Sequence, residues 1–406
     1  MQVTFICHYF HPEIGAPAAR VLETAREWVK MGHEVQVVTC FPNHPTGVIP
    51  EKYRGKWSCR ESLQGIEIYR SYVFATPNQG IVKRTLGHLS FMLSSLIWSL
   101  PKTGKADVII VSSPTLFSVI SAFVYSRLKK VPFVFEVRDL WPAIFVDLGI
   151  IRNRTLIRIL ESMEMFLYEK AAKIVVVTEA FRKDLIQREI TESKVEVVTN
   201  GADTDLYNPM VDGGSIRREL GLTGEFLCMY IGAHGISHGL SSIVEAADLL
   251  AESRDLHFLF VGEGAEKEAV EALACEKKLS NITFLPGQAK ERVPLFYAAS
   301  DICMVPLRDV ELFKGFIPSK IFEILAAGKP IVGSVRGEAY DILKDSGAAL
   351  LVPPEDSAAM AEAIIRLKDD RVLVKTMGET GRRYVMENYS RQGLSRVYER
   401  ILQEVV

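Results

Sequence analysis

Short runs of β-branched and aliphatic residues alternate with longer amphipathic stretches along the whole chain. That alternation is the pattern of parallel α/β sheets. In the first half it predicts strands near Val3–Cys7, Glu34–Thr39, Ile66–Val73, Val108–Val111, Phe133–Val137, Ile174–Thr178 and Val195–Val198. The pattern then restarts, with strands near Phe226–Ile231, His257–Val261, Ile282–Leu285, Ile302–Val305, Ile331–Gly333 and Ala349–Val352. Between the halves, residues 199–209 are rich in Asn, Gly, Asp and Pro, as a turn-forming linker is. The expected organisation is therefore an N-terminal Rossmann-like domain over residues 1–200, a linker over 201–210 and a second Rossmann-like domain over 211–385. Residues 386–406 are expected as a C-terminal helix returning to the first domain, with a break near Asn388–Ser390. Two facing, doubly wound α/β domains imply a cleft, and in such sheets ligands bind beyond the carboxyl ends of the strands. The loops that follow strands are thus the places to look for chemistry.

Composition narrows the function classes. The chain has 406 residues, 48% of them hydrophobic, enough for two ordinary cores. A net charge of −2 lacks the basic excess of a phosphate-tracking surface, so nucleic acid is not expected as a partner. Six cysteines contain no Cys-x-x-Cys pair, and most sit in or beside apolar runs, which reads as reduced thiols in a cytoplasmic protein. The segment Met1–Cys7 reads as a strand rather than a signal peptide, and no apolar run is long enough to span a bilayer.

Candidate chemistry gathers in six places. Residues 313–330 are expected to form a helix opening near Pro318 and Ser319 and ending at Gly328 and Pro330, with Ile321, Phe322, Ile324 and Leu325 buried. Ser319, Lys320 and Glu323 would lie together in its first turns. Free N–H groups with a lysine suit phosphate, and a carboxylate one turn deeper suits ribose hydroxyls. The loop Pro12–Pro17, with Gly15, follows the first strand and opens a helix, yet lacks the full Gly-x-Gly-x-x-Gly of a dinucleotide site. Glu136–Pro142 follows another strand, so Arg138 and Asp139 read either as functional groups or as a surface pair. Asp203-Thr204-Asp205 spells an Asp-x-Asp, but its place in the linker argues against a metal, and His8 with His11 lacks the partners of a metal set. Leu86–Leu100 is apolar and flanked by Lys83, Arg84, Lys102 and Lys105, which fits an interfacial helix on anionic lipid and a buried core helix equally well.

Ile321–Pro330 followed by Ile331-Val332-Gly333 resembles the family-4 retaining glycosyltransferases of the GT-B fold. The resemblance covers nearly the whole chain and is nearest to bacterial enzymes that build surface polysaccharides, O-antigen or capsule, from UDP-N-acetylamino sugars. Its other anchors are residues 11–17, Gly32–Val35, Glu136–Pro142, Asn200–Asp203, Val261–Gly264, Gly337-Glu338 and Pro353–Asp356. Glu323 fits the second carboxylate of the family's Glu-x7-Glu hallmark, while the first position falls on Gly315. After the first strand of the second domain, Ala233 and His238 stand where the family often carries Arg and Lys. The resemblance implies donor binding by Gly15, Arg138, Gly232, His234, His238, Glu263, Arg308, Lys314, Ser319, Lys320 and Glu323. Arg308, Lys314 and Lys320 would supply the positive charge that the glycine-rich loop lacks. Asp139 matches the family position beside the transferred sugar and is the catalytic candidate.

The activity so implied is transfer, with retention, of an N-acetylamino sugar from a UDP-sugar to a lipid-linked or oligosaccharide acceptor. No obligatory metal or other cofactor is expected, because helix N-termini and cations would stabilise the leaving diphosphate. A peripheral position at the inner face of the plasma membrane, through Leu86–Leu100, is a further expectation. A nucleotide-sugar epimerase of the same fold, using Asp139 and Glu338, and a non-catalytic nucleotide-sugar sensor are the rival readings.

Overall fold

The strands form because their residues are apolar on both sides. In β9 (Phe226–Ile231), Leu227, Met229 and Ile231 enter one hydrophobic cluster while Phe226, Cys228 and Tyr230 enter another. In β5 (Val108–Ser112), Ile109 and Val111 face one cluster and Val108 and Ile110 the other. Such strands are satisfied only where helices cover both faces of a sheet. The computed structural model describes residues 1–406 apart from 14, 45, 77–80, 114, 144–145, 147–150 and 223. Ile14, in the expected Pro12–Pro17 loop, lies outside the described residues. The chain divides into two compact units, Met1–Thr199 with Leu394–Val406, and Asn200–Gly393.

The first unit contains an eight-stranded sheet in the order β3-β4-β2-β1-β5-β6-β7-β8. Besides β5, its strands are β1 (Gln2–Ile6), β2 (Glu34–Cys40), β3 (Ser58–Leu63), β4 (Ile66–Ser71), β6 (Phe133–Val137), β7 (Lys173–Val176) and β8 (Val195–Val197). Val3 pairs in parallel with Val35 on one side and Val108 on the other, so the strand order reverses at β1. Strand β3 departs from the parallel expectation and is antiparallel to β4. A hairpin joins them through Gln64 and Gly65, at φ 52° and 81°, the left-handed pair that a tight two-residue turn needs. Two ion pairs cross it: Arg60 pairs with Glu67 and Glu61 with Arg70, both at 2.6 Å. Ion pairs replace the apolar run that would otherwise mark a strand.

The second unit carries a six-stranded parallel sheet in the order β11-β10-β9-β12-β13-β14. Its remaining strands are β10 (Leu256–Val261), β11 (Ile282–Leu285), β12 (Ile302–Pro306), β13 (Ile331–Ser334) and β14 (Ala349–Leu351). Here the order reverses at β9, between β10 and β12. Residues 201–210, expected as a linker, are folded into this unit, because Tyr207 is buried in its core and Ala202 bridges Ser390. Asp203 Oδ1 accepts the backbone N–H groups of Asp205 and Leu206 at 3.1 Å, so the Asp-x-Asp is a turn-capping device.

The C-terminal segment breaks at Tyr389 and Ser390 between the helices Arg371–Asn388 and Arg391–Gln403. Tyr398, Ile401 and Leu402 of the last helix are buried in the core of the first unit. There the Trp28 indole N–H donates to the Ser395 carbonyl at 3.0 Å, and the Trp28 and Tyr398 rings meet edge to face.

Candidate active site

In the second unit the loop after β9 lies at the point where the strand order reverses, where doubly wound sheets bind ligands. The loop after β10 packs on it backbone to backbone. His234 N–H donates to the Glu263 carbonyl at 2.9 Å, and a Cβ on Gly262 would sit 1.8 Å from the Gly232 carbonyl oxygen. Glycine at 262, at φ 154°, is therefore a packing requirement. Gly232, at φ 141°, faces Lys320, whose Nζ would lie 2.7 Å from any Cβ there. Gly232, expected among the donor-binding residues, thus admits a lysine.

Tyr230, the penultimate residue of β9, is the hub of this region. The Lys320 ammonium lies over its ring at 3.8 Å, and the His234 and His238 rings lie 5.6 and 6.0 Å from it. The Tyr230 hydroxyl donates to the Ala233 carbonyl at 2.5 Å, which fixes the ring. Among the described residues, Lys320 Nζ, both ring nitrogens of His234 and Nδ1 of His238 are buried without a hydrogen-bond partner. Burial pulls the Lys320 pKa down to about 7, with Glu323 opposing it, and pulls His234 to about 4 and His238 to about 3. Buried polar groups are normally paired, so unpaired nitrogens gathered around one ring mark a place for acceptor oxygens.

The helix expected from Pro318 begins two residues later, at Lys320, and runs to Ala326. Pro318 stands ahead of the Ser319 cap and contributes its carbonyl, which accepts the Ile321 N–H at 3.0 Å. The Ser319 side chain makes no capping bond. Gly328, at φ 68°, ends the helix as expected. Glu323 accepts a hydrogen bond from the buried Tyr297 hydroxyl at 3.1 Å, which orients its carboxylate.

The remaining donor candidates sit further from this hub or are engaged elsewhere. Exposed Glu263 pairs with Lys267 at 2.9 Å. Arg308 lies 3.7 Å from Glu355, and its backbone N–H bonds the Ser237 carbonyl in the loop after β9. Lys314 pairs with Glu311 at 2.5 Å on the exposed turn before the helix. In the first unit, exposed Gly15 caps the helix Ala16–Lys30 at φ 150° without a side-chain bond. Arg138 and Asp139 follow β6, and the Arg138 N–H donates to Ser113 Oγ at 2.8 Å. Burial raises the Asp139 pKa, and the neighbouring Arg138 charge opposes that rise.

Glu136, at the start of the same motif, is structural. It is buried against Arg20 at 3.0 Å and accepts the Ser112 hydroxyl at 2.8 Å. Arg20 in turn donates to the Val198 and Thr199 carbonyls. Sequence reasoning passed over Tyr230 and Tyr297, because an aromatic in an apolar run reads as core. It also passed over the role of Glu13, whose carboxylate accepts the Phe10, Asn43 and His44 N–H groups.

Comparison with known proteins agrees with this fold. Residues 15–201 match the glycosyl transferase 4-like domain, and residues 225–370 match glycosyl transferases group 1. A putative colanic acid biosynthesis glycosyl transferase, WcaI of Escherichia coli (strain K12), is 25% identical over 351 residues, covering 83% of this chain and 85% of its own. Among solved structures, Anabaena HepE in complex with UDP and glucose superimposes with a TM-score of 0.73 at 16% identity, over 99% of both chains. WaaG, a glycosyltransferase involved in lipopolysaccharide biosynthesis, gives 0.67 at 17% identity over 99% of both chains. With two doubly wound units and both halves matched, the chain belongs to the family-4 glycosyltransferases of the GT-B fold.

Proposed function

We propose that this enzyme transfers an N-acetylamino sugar, with retention, from a UDP-sugar to a lipid-linked or oligosaccharide acceptor in polysaccharide biosynthesis. The observation that carries the donor half is the group of unpaired nitrogens of Lys320, His234 and His238 around Tyr230. Their chemistry suits the oxygens of a diphosphate, with Lys320 as its cation and Glu323, held by Tyr297, on the ribose hydroxyls. Arg308, Lys314 and Ser319 flank this region, and Gly232 leaves space for it. In the first unit, Asp139 hydrogen-bonds sugar or acceptor hydroxyls, or stabilises positive charge at the anomeric carbon. No metal or other cofactor enters this scheme, since the lysine and backbone N–H groups carry the leaving diphosphate. UDP as carrier is supported by the UDP complex of HepE, and a polysaccharide product by the colanic acid and lipopolysaccharide roles of the similar proteins.

A place at the inner face of the plasma membrane belongs to the same proposal. No described helix is long and apolar enough to cross a bilayer. The Leu86–Leu100 segment divides between both expectations: Phe91 and Leu100 are buried, while Leu86, Leu93 and Ile97 are 47–58% exposed. Exposed Trp57 stacks on Trp98 beside them.

The test is a thermal-shift screen of UDP-, GDP-, ADP- and dTDP-sugars, followed by transfer from the stabilising donor to polyprenyl-diphosphate and oligosaccharide acceptors. Proton NMR of the product reads the anomeric configuration. Stabilisation by UDP-N-acetylamino sugars and an α-linked product from an α-donor are expected. Selective stabilisation by another nucleotide, or an inverted product, overturns the donor or the retention.

A further inference from the structure

We propose that the first unit binds the phosphate of a lipid-linked acceptor in a basic pocket formed by His8, His44, Lys83, Arg84 and His88. The inference deepens the transferase reading and rests on it for the word acceptor. These residues, with Tyr9 and Asn43 among them, line one small cavity. It lies beyond the ends of β1, β2 and β4 and is closed by the first turns of the helix Ile81–Ser94.

The pocket is built on one sign of charge. No carboxylate is among its lining residues. The nearest acid in the loop wall, Glu13, is committed to the backbone N–H groups of Phe10, Asn43 and His44. Lys83 and Arg84 are exposed, and neither has an ion pair or hydrogen bond with a described residue. His8 is only 5% exposed, and its Nδ1 lies 3.5 Å from Nδ1 of His88, with the two rings edge to face. Tyr9 stands between His8 and His44, its ring against both. Burial keeps His8 and His88 neutral, and Arg84 adds to the cost of charging His88. The contact between the two Nδ1 atoms uses the N–H of one ring, and the other neutral imidazole of the pair keeps its N–H to donate. Two fixed cations, imidazole N–H groups and a phenol around one cavity suit a tetrahedral oxyanion.

The rim selects the kind of phosphate. Phe74, 42% exposed, lines the pocket, and Leu86, 47% exposed, precedes the lining residue Gly87. Leu93 and Ile97 continue from Leu86 at spacings of seven and four, one stripe along the helix, and are 54% and 58% exposed. A basic pocket opening on an apolar stripe fits a phosphate esterified to a long-chain alcohol, whose head meets the cations and whose tail lies along the leucines.

Farnesyl diphosphate is the probe, titrated calorimetrically into protein saturated with UDP so that the donor nitrogens are occupied. Farnesol and inorganic pyrophosphate are the control ligands. The wild type should bind farnesyl diphosphate at least about tenfold more tightly than either control, and the exposed double variant Lys83→Gln, Arg84→Gln should lose about tenfold or more. UDP affinity, measured on the same variant, should stay within about twofold. Equal affinity of wild type and variant for farnesyl diphosphate, or equal binding of farnesol, overturns the pocket. Pyrophosphate binding as tightly as farnesyl diphosphate overturns its lipid component. If UDP itself does not bind, the donor reading fails instead, and the same titration without UDP still decides the pocket.

Discussion

Replacing Lys320 by Met should stabilise the second unit while abolishing donor binding. Lysine ordinarily titrates at 10.5, but here burial brings it to about 7. That difference of about 3.5 units corresponds to about 5 kcal/mol between the charged and neutral forms. In the unfolded chain the group stays protonated to high pH, so between pH 7 and 10.5 the unfolded state binds more protons and stability rises with pH. The penalty for burying Lys320 is largest below pH 7 and fades as pH approaches 10.5. Methionine keeps most of the volume over the Tyr230 ring and carries no charge. Allowing for local relaxation, Lys320→Met should gain about 2–4 kcal/mol at pH 7, or roughly 5–10 °C in melting temperature. A diphosphate favours the charged lysine, so UDP binding above pH 7 should take up close to one proton. Calorimetry in two buffers of different ionisation enthalpy reads that uptake, and calorimetric melting from pH 6 to 10 reads the stability. A variant that melts below the wild type at pH 7, or UDP binding without proton uptake at pH 8, refutes the reasoning.

Four other outcomes follow from the geometry. Arg20→Ala should destabilise the first unit by about 3–5 kcal/mol in denaturant, because it strands the buried Glu136 carboxylate 3.0 Å away. Burial alone would raise the Glu136 pKa, but Arg20 and Arg138 hold it below 4.5, so this stability should be present above that pH and be lost on acidification. Asp139→Asn should keep its melting temperature and UDP affinity yet lose about a hundredfold or more in turnover; early melting with normal turnover would make it structural. Gly262→Ala should cost about 1–3 kcal/mol and weaken UDP binding by displacing the His234 loop, since its Cβ meets the Gly232 carbonyl at 1.8 Å. Leu93→Glu with Ile97→Glu should reduce co-sedimentation with anionic vesicles, and undiminished sedimentation of the folded variant would remove that stripe as the anchor.

Much of the fold was readable along the chain because its parallel strands are buried on both faces and therefore appear as unbroken apolar runs. Thirteen of these runs fall on observed strands, from Gln2–Ile6 to Ala349–Leu351. Strand β3 escaped because Ser58–Leu63 pairs through Arg60 and Glu61 at a sheet edge, where charge suffices. Asp203 and Asp205 spelled a metal motif that backbone N–H groups explain. Glu136 stood in a motif that pointed to chemistry, but its environment is a buried ion pair with Arg20, 116 residues away.

Residue type and spacing placed Ser319, Lys320 and Glu323 together, and the family resemblance added Gly232, His234 and His238. What neither could contain is their electrostatic state. The lysine's lowered pKa comes from burial over Tyr230, with no hydrogen-bond partner for its ammonium among the described residues, and these conditions come from the packing of strand against helix. The basic pocket is likewise invisible in order of sequence, because His8 follows β1, His44 follows β2 and Arg84 lies on the helix Ile81–Ser94. Apolar periodicity is a property of neighbours along the chain and so survives in the sequence; desolvation and charge depend on neighbours through space, which exist only once both sheets have formed.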